Sequence, residues 1–238
     1  MRRIVVKYGI IGAMEEEVAH LLEQMPNHTK HEVANSVFYE GMIEEKEVVL
    51  LQSGIGKVNA AMATTILMER FQPTVVINTG SAGGFSQTLQ VGDIVISSDV
   101  VHHDVDVTGF DYELGQVPRM PVTFKSAPSL VEQVKSTLTN EKIHSEIGLI
   151  GTGDIFMNNP EKINNVLDHF PSMLAAEMEG AAIAQVCYQY DVPFVIIRAL
   201  SDIAGVESSI SFNEFLPLAA KNAASLIISL IKEGVVID

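Results

Sequence analysis

The 238-residue chain has one cysteine, Cys187, and no tryptophan. A single cysteine excludes an intrachain disulfide. Its place in an apolar, helix-spaced run reads as a buried structural thiol, not a nucleophile. Positive charge is also scarce: 15 Lys and Arg stand against 30 Asp and Glu, a formal net charge of -15. That balance argues against a nucleic-acid backbone or an anionic membrane as the main partner, and leaves small, weakly charged nucleosides open. No uninterrupted apolar run approaches the roughly 20 residues that span a bilayer. The opening MRRIVVKYGIIGAM is short, broken by Lys7 and followed at once by acids, unlike a signal peptide. The expectation is a cytoplasmic protein. Pro/Gly/Ser-rich linkers, internal repeats and low-complexity runs are missing too.

What is present is a 47% hydrophobic, 19% charged chain, enough for a sizeable core. Strand-like and helix-like segments alternate throughout. The pattern predicts a single α/β domain over 1–238, three layers (α/β/α) around a central mixed, mostly parallel twisted sheet. The stretch that organises the rest is PFVIIRALSDIA, 193–204. Phe194 to Ile197 form an apolar run without alternation, suited to a strand buried on both faces. Arg198, Ser201 and Asp202 follow, where ligands bind beyond the carboxyl ends of strands in open α/β sheets. Asp202 reads equally well as the cap of a following turn or helix.

Upstream, Ile4 to Ile11 reads as a strand and Met14 opens a helix. Acids at 15–17 complement its dipole, but Glu17 adjoins the apolar stripe beginning at Val18 and is the one that points inward. Strands are expected at Val37–Ile43, Glu47–Gln52, Thr74–Asn78, Asp93–Asp99, Ile147–Ile150 and Leu174–Glu177. Helices are expected from Lys57 to near Phe71, over Ser129–Leu138, from Pro160 through Phe170, over Gly180–Tyr190 and near the C-terminal end. The Gly-rich junction 53–57 lacks both the dinucleotide and the P-loop spacing, so tight packing explains it better than anion binding. Residues 79–84, TGSAGG, would let a ligand approach backbone and the Ser81 hydroxyl. His102, His103, Asp104 and Asp106 suggest a metal, but adjacent histidines point apart and no third follows at ligand spacing. Residues 109–120 form a polar, aromatic-bearing loop of the kind that carries binding or interface residues.

In sequence order, IIGAMEEEV (10–18), QSGIGKVNAA (52–61), INTGSAGG (77–84), VGDIV (91–95), HDVDVTGFDYELGQ (103–116), AEMEGAAIAQVC (176–187), VPFVIIRALSD (192–202) and SFNEFL (211–216) resemble the 5′-methylthioadenosine/S-adenosylhomocysteine nucleosidases of the nucleoside phosphorylase-like superfamily. The likeness runs almost the whole chain. It implies a general acid at Asp202 that protonates adenine N7, and a base at Glu17 that activates water, with proton donation contributing roughly 10²–10⁴-fold in rate. Glu179 would grip the ribose hydroxyls and favour a cationic sugar, with Met178 beneath it, and the Glu177/Glu179 pair would line the substrate. Ser81, Arg198 and Ser201 match ribose-side and supporting positions. Phe156 and Met157 match the adenine pocket, and Met14, Ile55 and Phe212 the apolar pocket for the 5′ substituent. The resemblance implies no metal or organic cofactor. It also implies a homodimer in which Val107, Phe110, Tyr112 and Pro118 of one subunit reach the neighbouring site. Expected partners are therefore adenine thionucleosides, 5′-deoxyadenosine among the substrates, and a second copy.

Thr152, Met157, Asp111 and Gly180 depart from the family's usual residues, without touching Glu17, Glu179 or Asp202. A phosphorylase is the nearest alternative. Asn78, where many phosphorylases carry arginine, and the acids at 15–17 disfavour a buried phosphate. A futalosine-type nucleosidase would share the chemistry and differ only in its pocket. A catalytically inactive nucleoside-binding module would lack the acid and base that are present here.

Overall fold

Aliphatic runs that do not alternate become strands covered on both faces, as for Val75–Ile77 and Phe194–Ile197, all of them buried. A computed structural model describes residues 6–86, 88–203 and 208–237, with backbone alone for 208–213. In order the elements are β1 (Lys7–Gly12), α1 (Glu15–Leu22), β2 (Thr29–Val33), β3 (Ser36–Ile43), β4 (Lys46–Gln52), α2 (Lys57–Phe71), β5 (Val75–Gly84), β6 (Ile94–His102), β7 (Phe124–Lys125), α3 (Pro128–Asn140), β8 (Ser145–Thr152), α4 (Pro160–His169), β9 (Met173–Glu177), α5 (Gly180–Gln189), β10 (Phe194–Ile203) and α6 (Ser208–Glu233).

The strands form one sheet ordered β10-β6-β8-β9-β5-β1-β4-β3-β2, with β7 on β6. Strand β10 also pairs with β5, so β5, β10, β6, β8 and β9 close into a ring from which the other strands extend. Parallel strand pairs (β1–β4, β1–β5, β5–β10, β6–β8, β8–β9) equal the antiparallel ones in number among the described residues but are longer, so the sheet is mixed with most of its paired residues in parallel register. Helices α2 and α5 cover one face through residues such as Ala63, Leu67, Ala181 and Ile183. Helices α1, α3 and α6 cover the other through Val18, Leu21, Leu130, Val134, Ala219 and Leu226. A third apolar cluster joins Val101, Met157, Ile163, Val166, Met173 and Ala176 beside α4. One stretch, Glu214–Glu233 of α6, is long and apolar enough by length and composition to cross a membrane. Here it lies on the sheet, with Ala219, Ala223, Leu226, Ile227, Leu230 and Ile231 buried.

Two strands outrun the apolar stretches that announce them. The small residues 79–84 belong to β5, and Arg198, Ser201 and Asp202 lie within β10, because the two strands pair in register, Arg198 opposite Gly80 and Ala199 opposite Ser81. A partner ladder fixes these residues as strand despite weak intrinsic preference. The register shifts between Leu200 and Asp202, a bulge of the kind that re-aims a side chain. Asp202 is therefore a strand residue and not the cap of a helix. Strand β2, TKHEV, escapes a hydrophobic reading because it is a polar, largely exposed edge. The side chain of Phe212 lies outside the described residues.

Gly80 marks a point where no side chain fits. A Cβ there would meet Arg198 Nη1 at 2.5 Å and Glu17 Oε1 at 2.7 Å. Gly80→Ala should lower stability by about 1–3 kcal/mol through overpacking. A urea unfolding midpoint equal to that of the parent would show that these buried groups can give way.

Candidate active site

At the carboxyl ends of the central strands lies a cavity of about 260 Å³. The β1–α1 junction supplies Met14 and Glu17, the β4–α2 turn Ile55, β5 Ser81, the β9–α5 junction Glu177, Met178 and Glu179, and β10 Ser201 and Asp202; Phe156 also faces it.

Of the three glutamates opening α1 only Glu17 is buried. Its Oε2 accepts the N–H groups of Ala13 (2.7 Å) and Met14 (3.2 Å), bonds that cap the helix start. Its Oε1 accepts the Ser81 N–H at 3.0 Å and hydroxyl at 3.3 Å. Four donors thus hold a carboxylate in a place with little water.

Glu177 and Glu179 stand where β9 meets α5, and both are buried. Glu177 Oε1 accepts the Thr152 hydroxyl, and Oε2 accepts the Arg198 guanidinium and the N–H groups of Glu179 (3.0 Å) and Gly180 (2.8 Å). The Thr152 hydroxyl oxygen in turn accepts the Ala181 N–H at 2.7 Å, so two side chains take up the first amides of α5. Burial alone would raise the Glu177 carboxyl. The Arg198 charge and the hydrogen bonds from Thr152, Arg198 and the Glu179 N–H together outweigh it and hold it below the usual range. Glu179 receives the Gly56 N–H at 2.8 Å on Oε1 and approaches Arg198 at 3.8 Å. Burial, and then the Glu177 charge, push it up to about 8 against Arg198 and that one amide.

Arg198 is 2% exposed and donates to Asn78 Oδ1 at 2.7 Å as well as to Glu177. Burial works against its charge, but the carboxylates of Glu177, Glu179 and Glu17 outweigh that and keep it protonated. Asp202 is likewise buried. Loss of water raises its carboxyl above the usual range, opposed only by the Ser201 hydroxyl donating at 2.9 Å.

Met157 packs in the cluster beside α4, and Arg198 sits behind the cavity wall. Val107, Phe110, Tyr112 and Pro118 do not line this cavity, and Phe110 is 79% exposed. Gly83, against which Asp202 packs, and Ala82 belong to the stretch 79–84 read as small residues that admit a ligand, whereas the lining residues Ala13 and Ala176 are not singled out by the sequence. Asn78 and Thr152 support Arg198 and Glu177, and their polarity at the ends of apolar runs is the one clue to them. His102 and His103 are buried and kept neutral, chiefly by that burial. Asp104 pairs with Lys57, and no cluster among the described residues is arranged to hold a metal.

Residues 7–232 match the Phosphorylase superfamily. The chain is 60% identical over 225 residues to the 5′-methylthioadenosine/S-adenosylhomocysteine nucleosidase of Oceanobacillus iheyensis, covering 94% of this chain and 98% of that protein. The corresponding nucleosidase of Colwellia psychrerythraea, solved with adenine, superposes with a TM-score of 0.94 at 49% identity over 98% of both chains. That of Neisseria meningitidis, solved with methylthio-immucillin-A, gives 0.93 at 47% identity over 96% of this chain and 99% of that one.

A carboxyl raised from 4.5 to about 8 binds its proton more tightly when folded, so it favours folding at low pH. That contribution is complete below about pH 4.5 and is lost as pH rises through about 8. Glu179→Gln removes this dependence. Between pH 5 and pH 9 the variant should gain on the parent by a few kcal/mol, at about 1.4 per pKa unit. Parallel stability curves in urea would contradict the raised value.

Proposed function

Because the chain belongs to the 5′-methylthioadenosine/S-adenosylhomocysteine nucleosidases of the phosphorylase superfamily, we infer that it hydrolyses the N-glycosidic bond of these two nucleosides. Adenine and the 5′-thioribose are the products, and 5′-deoxyadenosine is a further substrate of the same chemistry. The observation that carries the mechanism is one small cavity lined by Asp202, Glu17 and Glu179.

Adenine leaves poorly as an anion. Asp202, whose carboxyl burial keeps protonated to higher pH, delivers a proton to N7 as the bond from C1′ to nitrogen breaks and its electron pair passes to the base. The Glu179 carboxyl accepts hydrogen bonds from the ribose hydroxyls, and the positive charge that develops on the sugar favours its ionised form, which stabilises that charge in return. Water adds to C1′ and gives its proton to Glu17. The longest of the four contacts to Glu17, from the Ser81 hydroxyl, is the one that water displaces. Division of labour between a carboxylic acid and a carboxylate base parallels the cleavage of O-glycosides. Phe156 supplies a face for adenine, with Met157 behind it, and Met178 packs under the sugar. Met14 and Ile55 line the apolar side of the cavity that takes the 5′ substituent.

Water, not phosphate, is the nucleophile. The guanidinium nearest the cavity, Arg198, is already paired with Glu177, and a phosphate would face Glu17, Glu177, Glu179 and Asp202. The working form is a homodimer. Exposed Ile55, Val58 and Met62 on and before α2 offer an apolar face, and Asp104, at the base of the 103–118 loop, is tied to Lys57 of that helix. Val107, Phe110, Tyr112 and Pro118 would then complete the neighbouring site.

Asp202→Asn should bind methylthioadenosine nearly as well as the parent and release adenine at least about a hundredfold more slowly. The parent should turn over in phosphate-free buffer and yield free methylthioribose by mass. Normal turnover by the variant would reassign the proton donor, and a phosphate requirement would favour the phosphorylase. Phe110→Asp should shift the protein toward monomer in light scattering and reduce turnover together. A parental dimer with parental activity would remove the loop from the partner's site.

A further inference from the structure

We propose that Asp154, outside the cavity, is a positioning residue for Glu179 and acts through the amide of Gly56. The geometry is independent of the assigned reaction; the kinetic consequence rests on the nucleosidase reading above.

Helix α2 begins after Gly56, which has φ 92 and no side chain to cap the helix. Its N–H donates to Glu179 Oε1 at 2.8 Å, and the next amide, that of Lys57, donates to Asp154 Oδ1 at 2.9 Å. A carboxylate from the segment after β8 thus caps α2 where Gly56 offers no side chain. Asp154 is itself held: its N–H donates to Asp104 Oδ2 at 3.0 Å, and Asp104 Oδ1 accepts Lys57 Nζ at 2.5 Å. The cycle Lys57–Asp154–Asp104 closes on the peptide next to the one that grips Glu179. The two amides are joined only through φ and ψ of Gly56, so pinning the Lys57 N–H narrows the orientations left to the Gly56 N–H in a residue that otherwise turns freely. The fit is tight, since a Cβ on Gly56 would lie 3.1 Å from Asp154 Oδ1. Among the described residues the Gly56 N–H is the sole hydrogen-bond donor to the Glu179 carboxylate. A freed turn therefore loosens the group that holds the ribose hydroxyls, although Asp154 touches neither.

The test compares Asp154→Ala with Asp154→Asn, whose amide oxygen can still accept from Lys57. kcat/KM is measured on methylthioadenosine and on its 2′,3′-dideoxy counterpart, and the Gly56 amide is followed by NMR in glycine-labelled protein. Asp154→Ala should lose about five- to tenfold on methylthioadenosine, and Asp154→Asn less than about twofold. The loss should vanish on the dideoxy substrate, which has no hydroxyls for Glu179 to hold. The Gly56 amide should shift and exchange faster in Asp154→Ala only. Equal loss in both variants, equal loss on both substrates, or a displaced Gly56 amide with parental kcat/KM would each overturn the proposal. If the parent releases no adenine from either nucleoside, the nucleosidase reading fails instead. A Gly56 amide that moves only in Asp154→Ala then upholds the positioning, and one that does not move overturns it.

Discussion

One buried guanidinium governs the chemistry around it. Arg198 is surrounded by Glu17, Glu177 and Glu179, and a charge so placed is tolerable only with close partners. The protein spends Arg198 mainly on Glu177, which also takes Thr152 and the first amides of α5. Glu17 is satisfied separately, by four donors from α1 and β5. What remains for Glu179 is one amide and a longer approach to the same guanidinium. Glu177 is thereby held as an anion, and Glu179 stays poised to gain or lose a proton. The carboxyl assigned to the ribose is the one the scaffold leaves least satisfied.

Asp202 reaches a comparable condition by another route. Among the described residues no cation stands beside it, and burial raises it with a neighbouring hydroxyl in opposition. Its setting within β10, at a bulge and against Gly83, removes water from it without supplying a counter-charge. Acid and base roles thus separate through surroundings, since every group involved is an ordinary carboxyl.

Much of this could be read in the residues. Unbroken apolar runs marked the central strands, and the Gly-rich junction 53–57 marked the start of the helix α2, which ends at Phe71 as expected. Glu17 stood out by its place beside Val18, and Asp202 by following a buried strand. Other features exist only through pairing between distant segments. Residues 79–84 look like a loop until β10 lies beside them, and the polar edge β2 has no hydrophobic signature at all. Neither periodicity nor spacing could show Glu177 taken up by protein donors, because its partners come from β8, α5 and β10. Asp154 was invisible as a cap because the helix it serves begins 97 residues earlier.

The closed ring of strands also dictates the order in which this protein can assemble. Asn78 and Arg198 lie 120 residues apart, and Gly56 and Glu179 lie 123 apart. Contacts of such separation are slow to form, since a long loop must close before they yield any stabilisation. β10 leaves the ribosome after every other strand, yet it bridges β5 and β6. A growing chain can therefore build α1, the β2–β4 meander and α2 early while the cavity has no floor. The cavity is complete only once the last strand stands between its two neighbours.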